Sequence, residues 1–563
     1  MADCTALAVT STGEATVVHP DGRVEHFGDA EARAALMRLD AARPRWLWWN
    51  GDSARAAGAL GLRPTRCWDL GAVHRLLAGG WHSSPADVWA HLRNLDAASI
   101  PSTRPVDLFT QADDRGDVED PVGTDGHLRP DWVEGGWAES PLRRERWLHT
   151  AHELRRSQEL ELERRAERDD VGALAHLRTT AFAESLSEVM CAELEHCGLP
   201  VDRAEAEAIV AGFVGPRPAD TPAALAALDA PVLSHLPPGM QVDLRSPDQV
   251  KSLLRRVGIE VPDTRAWRLE SLRDAHPVVD ALLTWRRAER VRTTFGYGWL
   301  DEHVGPDDRL RGRWSSSDGA AGRMTATAGL HNMPAEMRPA IVADTGFAFV
   351  RAALGQIEPR ILAAVSGDER LAAATHDDDM YAPVARRLGV ERDIAKVAVL
   401  GAMYGQTTGK GAEALRGLER EYPVAMGLLD RAAGAAQGGN DVFTFGGRRI
   451  RMGAASTDDA EGRSRAAARG RFGRNAVIQG AAAEFFKTWA ILVRRSVAEH
   501  GAAVVLCLHD ELVVHAPSPA AEEVAHAVDD CLQETALRWC PPRPTPVRFV
   551  SDTSRIRRWS DAK

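Results

Sequence analysis

Four residues at a spacing of four in the segment RDIAKVAVLGAMYGQ are candidates for binding a phosphorylated ligand: Arg392, Lys396, Leu400 and Tyr404. An α-helix takes about 3.6 residues per turn, so this spacing places all four on one helical face. Arginine offers a planar fork for phosphate oxygens and lysine a compact charge, while the aromatic ring could contact a base. A solvated helix face with a buried leucine has the same spacing, so the stripe alone leaves both interpretations open.

Two adjacent carboxylates, Asp510 and Glu511, follow His509 in the segment VVLCLHDELVVHAP. Apolar runs on both sides of a polar centre predict a β-hairpin with these residues at its turn. Adjacent carboxylates are costly unless they are solvated or bind a cation. Phosphoryl transfer commonly uses two Mg²⁺ ions about 4 Å apart, held by carboxylates from more than one segment. Asp510 therefore needs a distant partner, unless the pair is a plain acidic turn.

Two more segments carry polar residues in a suggestive order. GQIEPRILAAVSGDE contains Gln356 and Glu358 directly after an apolar strand pattern, FAFVRAAL. RFGRNAVIQGAAAEFFK contains Arg471, Asn475 and Gln479, again at a spacing of four. Side chains of this kind can contact minor-groove acceptors of a duplex without sequence preference. Each segment alone is equally compatible with a capped, solvated helix.

The elements that position these residues must belong to several domains, because 563 residues are too many for one core. Residues 1–110 alternate short apolar runs with helical patterns, which predicts a small α/β domain. Residues 111–145 are rich in Asp, Gly and Pro, so we expect a linker or a long surface excursion. The pattern is helical over 146–235 and mixes helices with short strands beyond 240.

Composition narrows the protein class. A content of 44% hydrophobic and 26% charged residues is typical of soluble globular proteins, and no apolar run approaches the roughly 20 residues that span a bilayer. The N-terminus lacks a secretory signal, so a cytoplasmic protein without membrane contact is expected. Seven scattered cysteines without a CxxC pair argue against a zinc ribbon or a disulfide framework and predict reduced, mostly buried thiols.

Charge gives a weaker indication. The net charge of −11 does not itself suggest a nucleic-acid partner, but binding needs only a local basic stripe. Eight arginines crowd one C-terminal stretch and could form such a stripe or an ordinary solvated face: Arg448, Arg449, Arg451, Arg463, Arg465, Arg469, Arg471 and Arg474.

Taken in order, the motifs resemble those of the family A DNA polymerases, the group of bacterial DNA polymerase I. The similarity covers about residues 180–560. Seven segments match in order: ESLSEVMCAELEHCGLPVD, RSPDQVKSLL, HPVVDALLTWRRAERVRTTF, AGRMTATAGLHNMP, GQIEPRILAAVSGD, RDIAKVAVLGAMYG and LHDELVVHAP. Seven ordered matches make chance similarity a poor explanation.

The resemblance implies an α/β multi-domain fold, with a right-hand polymerase of palm, fingers and thumb preceded by a ribonuclease H-like exonuclease-type α/β domain. The implied boundaries are 1–175 for a degenerate 3′–5′ exonuclease-like domain and 176–563 for the polymerase domain. Within the latter, the thumb is expected at about 180–300, the palm at about 301–370 and 475–563, and the fingers at about 371–474.

By the same resemblance, two Mg²⁺ ions, or Mn²⁺ in their place, are the expected cofactors. Asp510 and the backbone carbonyl of Leu354 are the implied ligands, and Glu511 has a supporting role. Arg392 and Lys396 would hold the triphosphate of an incoming dNTP, and Lys396 would protonate the departing pyrophosphate.

The remaining implied roles concern the base, the sugar and the DNA. Glu358 matches the carboxylate that excludes a ribose 2′-OH, and Gln356 lies beside the nucleotide. Tyr404 and Gly405 match the residues at the templating base. Primer-template contacts are implied for five further residues: Arg323, Arg471, Asn475, Gln479 and His509.

The largest departure from the family pattern is Ala353, which stands where motif A has an aspartate. Alanine cannot bind a metal, and loss of one charge-stabilising group commonly costs about 2.7–4 kcal/mol. Nearby Asp344 is expected on the wrong side of an apolar strand to replace it. An engineered Asp-to-Ala change is the preferred explanation, and a naturally silenced homologue is the other.

Three smaller departures concern other positions. Leu400 replaces an aromatic residue usual on the fingers helix, and Tyr381 stands where a histidine often helps hold the triphosphate. The first strand, CTALAVTSTGE, has no Asp-x-Glu for nuclease metal binding. Three residues remain as possible vestiges of an exonuclease site: Asp52, Asp69 and Asp170. The layout is similar to short polymerase I-like proteins of actinobacteria.

The leading hypothesis is therefore a DNA-directed DNA polymerase, impaired by Ala353, that acts in replication or repair. Its expected partners are primer-template DNA and dNTPs, and it is expected to be a nucleoid-associated monomer in the cytoplasm. A non-catalytic binder of primer-template junctions is the alternative, and a proofreading nuclease is the least supported.

Overall fold

The computed structural model describes residues 4–101, 119–219, 221–237, 240, 242–405, 411–453, 460–540 and 542–562. The chain forms two compact units. The larger unit comprises Met1–Cys197, Arg313–Thr325 and Gly346–Arg555, and the smaller comprises Gly198–Gly312, Ala326–Thr345 and Ile556–Lys563.

The N-terminal part of the larger unit is built on a five-stranded sheet. Its strands are β1 Cys4–Val9, β2 Ala15–Val18, β3 Val24–Phe27, β4 Arg45–Trp48 and β5 Cys67–Asp69. Their order is β3-β2-β1-β4-β5, with β1, β2 and β3 antiparallel and β4 and β5 parallel to β1. The predicted apolar runs form β1 and β4, and Trp46 and Trp48 are fully buried there.

Seven helices accompany this sheet in the chain: α1 Asp29–Asp40, α2 Gly51–Ala59, α3 Leu70–Ala78, α4 Pro85–Leu92, α5 Pro130–Val133, α6 Pro141–Arg165 and α7 Leu174–Cys197. Helices α3 and α6 contribute most of the apolar core that covers the sheet, including Leu76, Leu77, Trp147 and Leu154.

The segment 111–145, predicted to be a linker or a long surface excursion, contributes two residues to the core. Leu128 and Trp132 are buried in the same core, and the Trp132 ring lies 6.2 Å from that of Trp147. The prediction relied on the low content of aliphatic residues in this segment. A single tryptophan can nevertheless anchor a segment, because its side chain buries a large apolar area. Residues 111–118 lie outside the described part of the chain.

The smaller unit is mainly helical. Its elements are β6 Leu199–Pro200, α8 Arg203–Val214, α9 Thr221–Leu233, α10 Pro247–Arg256, α11 Ala266–Glu270, α12 Pro277–Thr294, α13 Tyr297–His303 and β7 Arg309–Leu310. The RSPDQ segment begins α10 as predicted, with the Ser246 side chain accepting a hydrogen bond from the Gln249 amide as an N-cap. Leu253 and Leu254 of α10 pack with Val278 and Leu282 of α12.

The next elements are β8 Trp314–Ser315, β9 Thr325–Ala326, β10 Phe347–Leu354, α14 Ile357–Ser366, α15 Glu369–Ala374, α16 Tyr381–Leu388, α17 Arg392–Tyr404, α18 Gly411–Glu421, α19 Pro423–Gln437, β11 Val442–Phe443 and β12 Arg449–Ile450. The chain ends with α20 Ala460–Ala498, β13 Ala503–Leu508, β14 Glu511–Pro517, α21 Ala521–Trp539 and β15 Ser551–Ile556. A four-stranded sheet has the order β13-β14-β10-β15. Five short 3₁₀ helices complete the described structure: Ala97–Ser99, Gly136–Ala138, Ala335–Ala340, Ser518–Ala520 and Trp559–Asp561.

Helix α20 is the longest element, with 39 residues. By length and composition its segment Glu461–Ala498 could cross a membrane, but 83% of its most apolar window is buried inside the protein. It therefore has the character of a core helix.

A buried ionic network joins α20 to α7. Lys487 and Arg448 both donate to Glu184, with nitrogen-to-oxygen distances of 2.5 and 2.7 Å. One turn before Lys487, the Glu484 carboxylate accepts hydrogen bonds from the Thr444 hydroxyl and the Gly446 amide. These acidic and basic groups are fully enclosed, so their pairing holds the two helices in one relative position.

The cysteines agree with the prediction. Each of the seven is a free thiol in the structure, and five of them are buried.

Candidate functional site

The two strands β10 and β14 bring the predicted carboxylate segments together. They pair antiparallel, with Ala353 directly opposite Glu511, and the Leu354 amide donates to the Asp510 carbonyl at 2.8 Å. The hairpin prediction is confirmed, because β13 and β14 are joined through His509 and Asp510 alone. His509 has a φ of 27°, a positive value that a two-residue hairpin turn requires and that a β-carbon disfavours. The strand pairing thus places position 353 beside Asp510 and Glu511, and its role as the distant partner of Asp510 stays a prediction.

Arg351 is an element of this site that the sequence analysis did not single out. It lies two residues before Ala353 and so on the same face of β10. Its Nε and Nη2 atoms donate to one Glu511 oxygen at 2.9 and 2.7 Å, and its Nη1 atom donates to Asp552 at 2.9 Å. The Arg351 and Glu511 side chains are only 11% and 13% exposed, so this pair is largely shielded from water. The charge of Glu511 is therefore already balanced by a protein cation.

These residues do not fit a two-ion metal centre. Ala353 provides no ligand, Glu511 is bound to Arg351, and Asp344 is paired with Arg309. Partial burial raises the pKa of Asp510, and the neighbouring Glu511 charge adds to the effect. Among the residues that the structure describes, no cluster of three or more His, Cys, Asp or Glu side chains could hold a metal. The Leu354 carbonyl as a ligand stays a prediction.

A second cluster surrounds Glu358. Its carboxylate accepts from Arg323 Nη2 at 3.1 Å and, more weakly, from the Tyr404 hydroxyl at 3.4 Å. With its amide oxygen turned toward Arg323, Gln479 accepts from both Nη atoms at 2.6 and 3.2 Å. Burial raises the pKa of Glu358, and the Arg323 charge opposes that rise. Four predicted site residues from four separate segments thus meet in one network.

A third cluster is organised by Asp379, which the sequence analysis also missed. Its carboxylate accepts from Arg392 Nε at 2.7 Å and from Gln356 Nε2 at 3.2 Å. The Arg392 guanidinium lies 5.7 Å from the centre of the Tyr381 ring. Burial and the Asp379 charge raise the pKa of Tyr381 to about 12, so this phenol stays protonated at neutral pH. Asp379 therefore ties the start of α17 to Gln356 and to the start of α16.

Gln356 is held in place by the fully buried Arg360. Gln356 has a φ of 52°, in the left-handed region, and its side-chain oxygen accepts from Arg360 at 3.2 Å. The same guanidinium donates to five backbone carbonyls, those of Gly355, Thr375, Asp377, Asp378 and Arg548. Arg360 thus fixes the backbone on both sides of Gln356 and Asp379.

The predicted stripe on α17 is one helical face, as expected. Lys396 and Tyr404 are exposed and Leu400 is half-buried, whereas Ala395, Val399 and Met403, each one position earlier, are buried. Arg392 begins this stripe and also contacts Asp393 at 3.0 Å. The exposed face ends at Gly405, which has a φ of 69°.

Gly405 and Arg471 in the first half of α20 are in close contact. A β-carbon at Gly405 would lie 2.9 Å from Cγ of Arg471, whose own side chain is exposed. One turn later, the Asn475 side chain interacts with the Tyr404 hydroxyl and opposes the rise that burial causes in the Tyr404 pKa.

The arginine-rich stretch does not form a single basic face. Arg448 is buried against Glu184, Arg449 pairs with Asp441, and Arg474 pairs with Asp430. Each of these arginines is paired with a carboxylate that the fold brings next to it, and the sequence pattern did not indicate these partners. The basic-face interpretation is therefore wrong for these three positions.

The three acidic vestiges of an exonuclease site have separate contacts. Asp52 is exposed and pairs with Arg313 at 3.0 Å, whereas Asp170 pairs with Arg168 at 2.7 Å. Asp69 is fully buried, caps α3 at the Ala72 amide and accepts from the Trp48 indole at 2.9 Å. Asp69 therefore has a structural explanation as a helix cap.

Comparison with known proteins identifies the family. The family model described as DNA polymerase family A matches residues 223–547, more than half of the chain. The chain belongs to DNA polymerase family A. Its mixed α/β, multi-domain architecture is therefore that of this family, and the resemblance read from the ordered motifs is confirmed.

Three relatives illustrate how far the family A similarity extends. DNA polymerase I of Chloroflexus aurantiacus is 33% identical over 298 residues, which are 47% of this chain and 31% of the relative. The thermostable DNA polymerase I of Thermus aquaticus is 29% identical over 301 residues, 48% of this chain and 36% of the relative. DNA polymerase theta of Caenorhabditis elegans is 24% identical over 361 residues, 57% and 21% of the two chains. The match thus spans about a third or less of these relatives.

A solved family A structure shares the fold along the whole chain. It is the POL domain of Pol1 from M. smegmatis, in complex with a DNA primer-template and a dNTP. The TM-score is 0.69 at 22% sequence identity, and the alignment covers 99% of this chain and 95% of that one. At this identity the comparison supports the fold.

Proposed function

We propose that this protein is built for template-directed DNA synthesis and that Ala353 leaves this chain impaired. The native reaction would join a dNTP to a primer, with the primer 3′-OH attacking the α-phosphate and pyrophosphate leaving. Its partners would be primer-template DNA and dNTPs, bound by a monomer. Family membership and the convergence of position 353 with Asp510 and Glu511 support the proposal.

The clusters supply plausible binding functions for each part of the substrates. The exposed Arg392 and Lys396 on α17 suit a triphosphate, because they combine a fork of donors with a compact charge. Glu358, held by Arg323 and Tyr404, would exclude a ribose 2′-OH by its bulk and its charge. The Gln479 and Asn475 amides suit minor-groove acceptors, which occur at similar positions in every base pair.

The observation that carries this proposal is the position of Ala353. Ala353 lies opposite Glu511 and beside Asp510, at the point where a second carboxylate is needed. Removing one charge-stabilising group commonly lowers a rate by about 10²–10³-fold. We therefore expect substrate binding to be retained and primer extension to be strongly reduced.

A non-catalytic role is the second candidate, and the Arg351–Glu511 pair favours it. The shielded Arg351 guanidinium neutralises Glu511, the carboxylate that remains on β14. The charge of Glu511 is therefore balanced without a metal. Such a protein would bind a primer-template junction and shield it or recruit others. The intact Arg392, Lys396 and Asp510 argue against it, because binding alone does not require them together.

Primer extension with Ala353→Asp separates the two candidates. We expect at least about a 100-fold faster extension than with the starting chain, with no gain for the uncharged Ala353→Asn control. Fluorescence anisotropy with the same primer-template should give equal affinities for all three proteins. Tight junction binding without extension by Ala353→Asp would support the non-catalytic role, and absence of both would overturn the polymerase proposal.

For the N-terminal sheet we propose a degenerate ribonuclease H-like exonuclease domain retained as a scaffold. The strand order β3-β2-β1-β4-β5 and the separate contacts of Asp52, Asp69 and Asp170 support it. Incubation of a 3′-labelled single strand with the protein and Mg²⁺ should release no mononucleotide. Trimming that persists in Asp510→Ala would contradict the proposal.

A further inference from the structure

A pocket of about 400 Å³ in the larger unit opens where β4 and β5 begin. These strands are parallel, with Trp46 opposite Cys67, and the Trp46 amide donates to the Arg66 carbonyl at 3.1 Å. Arg45 is the first residue of β4, and Arg66 immediately precedes β5. The parallel register therefore brings two arginines to one edge of the sheet and to the rim of the pocket.

Two helix faces form the walls of this pocket. Helix α7 contributes Phe182 and Leu186, and helix α20 contributes Ile491, Leu492 and Arg495. Phe182 and Leu186 are four residues apart, and Arg495 is four and three residues from Ile491 and Leu492, so each set lies on one side of its helix. The pocket thus combines an apolar wall with a third rim arginine.

The charges that line the pocket have one sign. Besides the three rim arginines, Arg494 and Arg538 line it, while none of the described lining residues is Asp or Glu. Arg494 forms two hydrogen bonds of 2.6 Å with Glu193, and Arg538 pairs with Glu534. These two guanidinium groups are thus balanced within the protein.

The three rim arginines differ from that pair. In the described part of the chain, no ion pair with a carboxylate is formed by Arg45, Arg66 or Arg495. Arg45 packs instead over the Phe182 ring, 4.2 Å from its centre, which orients the guanidinium. Burial lowers the pKa of Arg45 and the nearby Arg66 charge adds to the effect, while the Glu159 charge opposes it. Three clustered cations that form no ion pair in the described part of the chain favour an anionic ligand.

We propose that this pocket binds a free nucleotide, with phosphates on Arg45, Arg66 and Arg495 and the base against Phe182, Leu186 and Ile491. Several arginine forks suit a ligand with more than one phosphate, since a single carboxylate would need only one of them. The apolar wall makes no favourable contact with an inorganic anion, but it can pack against a planar ring. A volume of about 400 Å³ lies within the roughly 300–1,000 Å³ typical of small-ligand pockets. The site shares no residue with the α17 stripe.

Calorimetric titration of the full-length chain with ADP in EDTA tests the proposal. The background is Arg392→Ala/Lys396→Ala, which removes the other expected triphosphate-binding residues. ADP should bind this background with a stoichiometry of one. Adding Arg66→Ala and Arg495→Ala should weaken binding at least tenfold. Both side chains are exposed, so folding should be unaffected, and melting curves check this. Arg38→Ala, another exposed arginine outside the pocket, should change nothing.

Further ligands distinguish the parts of the proposal. Adenosine and pyrophosphate should each bind at least tenfold more weakly than ADP, because each lacks one half of the ligand. Pyrophosphate as tight as ADP would reduce the pocket to an anion site and overturn the nucleotide assignment. Tighter binding of a 5′-phosphorylated tetranucleotide would assign the pocket to a strand end instead. Absence of ADP binding in the background, or equal affinity after the Arg66 and Arg495 substitutions, would also overturn the proposal.

Discussion

Arg351 and Glu511 are paired across adjacent strands, with two guanidinium nitrogens donating to one carboxylate oxygen at 2.9 and 2.7 Å. Ala353 follows Arg351 on the same face of β10 and lies opposite Glu511. The Arg351 side chain is therefore a fixed cation beside the position of the missing carboxylate. Arg351 and Ala353 should both lower the affinity of this chain for a divalent cation.

Replacing Arg351 should increase metal affinity. In Ala353→Asp, the additional change Arg351→Met frees Glu511 and removes a positive charge, so we expect Mn²⁺ to bind about tenfold more tightly, or about 1.4 kcal/mol. Electron paramagnetic resonance of free Mn²⁺ measures this without any turnover. Arg449→Met, which removes a strand arginine paired with Asp441, is the matched control and should have no effect. Unchanged Mn²⁺ affinity in Arg351→Met would show that the ion pair does not compete with metal.

The stability of Glu484→Gln relative to the wild type should rise with pH. Burial raises the pKa of Glu484 from 4.5 to about 7, so the folded state holds its proton more tightly than the unfolded state. This contribution to stability is complete below about pH 4.5 and is lost as pH rises to about 7. The melting temperature of Glu484→Gln relative to the wild type should therefore rise between pH 5 and pH 8. A pH-independent difference, or the same trend in the exposed control Glu499→Gln, would contradict this assignment.

Arg360→Met should be strongly destabilising. Five backbone carbonyls lose their donor, and each buried unsatisfied group costs about 1–3 kcal/mol. Some carbonyls will regain water, so we expect a loss of roughly 3–4 kcal/mol in the free energy of unfolding, measured by urea denaturation. Arg360→Lys should recover little, since one ammonium has three donors. The control Arg386→Met, at an exposed arginine, should have a much smaller effect. Equal losses in both variants would show that the Arg360 hydrogen bonds do not stabilise the fold.

Gly405→Ala should destabilise the end of α17 by about 1 kcal/mol or more. The positive φ disfavours a β-carbon, and that carbon would also meet Arg471 Cγ at 2.9 Å. Combining it with Arg471→Ala should recover the part of the loss that is due to contact, but not the part due to backbone strain. A double-mutant cycle in thermal denaturation measures that coupling. Strictly additive losses would mean that the two residues do not touch.

Much of the architecture could be predicted because its signals are local. The apolar runs around His509 and Asp510 predicted the hairpin, and the spacing from Arg392 to Tyr404 predicted one exposed helix face. Ser246 was a correct helix start because its side chain caps the residue three positions later. Each of these inferences needs only residues within one or two turns of each other.

The missed contacts depend on tertiary pairing instead. Arg351 stands in an apolar strand, and nothing nearby in sequence indicates Glu511 as its partner, 160 residues away. Asp379 belongs to a run of three aspartates, and the sequence does not tell which of them meets Arg392 and Gln356. Trp132 was missed because its segment has the composition of a loop.

Helix α20 has a practical consequence for anyone dividing this protein into fragments. With 39 residues and about 1.5 Å of rise per residue, it is a continuous rod of about 58 Å. It bears Asn475 and Gln479 at its middle, Glu484 and Lys487 in its second half, and Arg495 near its C-terminal end. A split-protein reporter or a circular permutant cut between Gln479 and Glu484 would place the first pair and the other residues on separate segments. Reconstitution from two polypeptides should succeed only if one of them carries the helix whole.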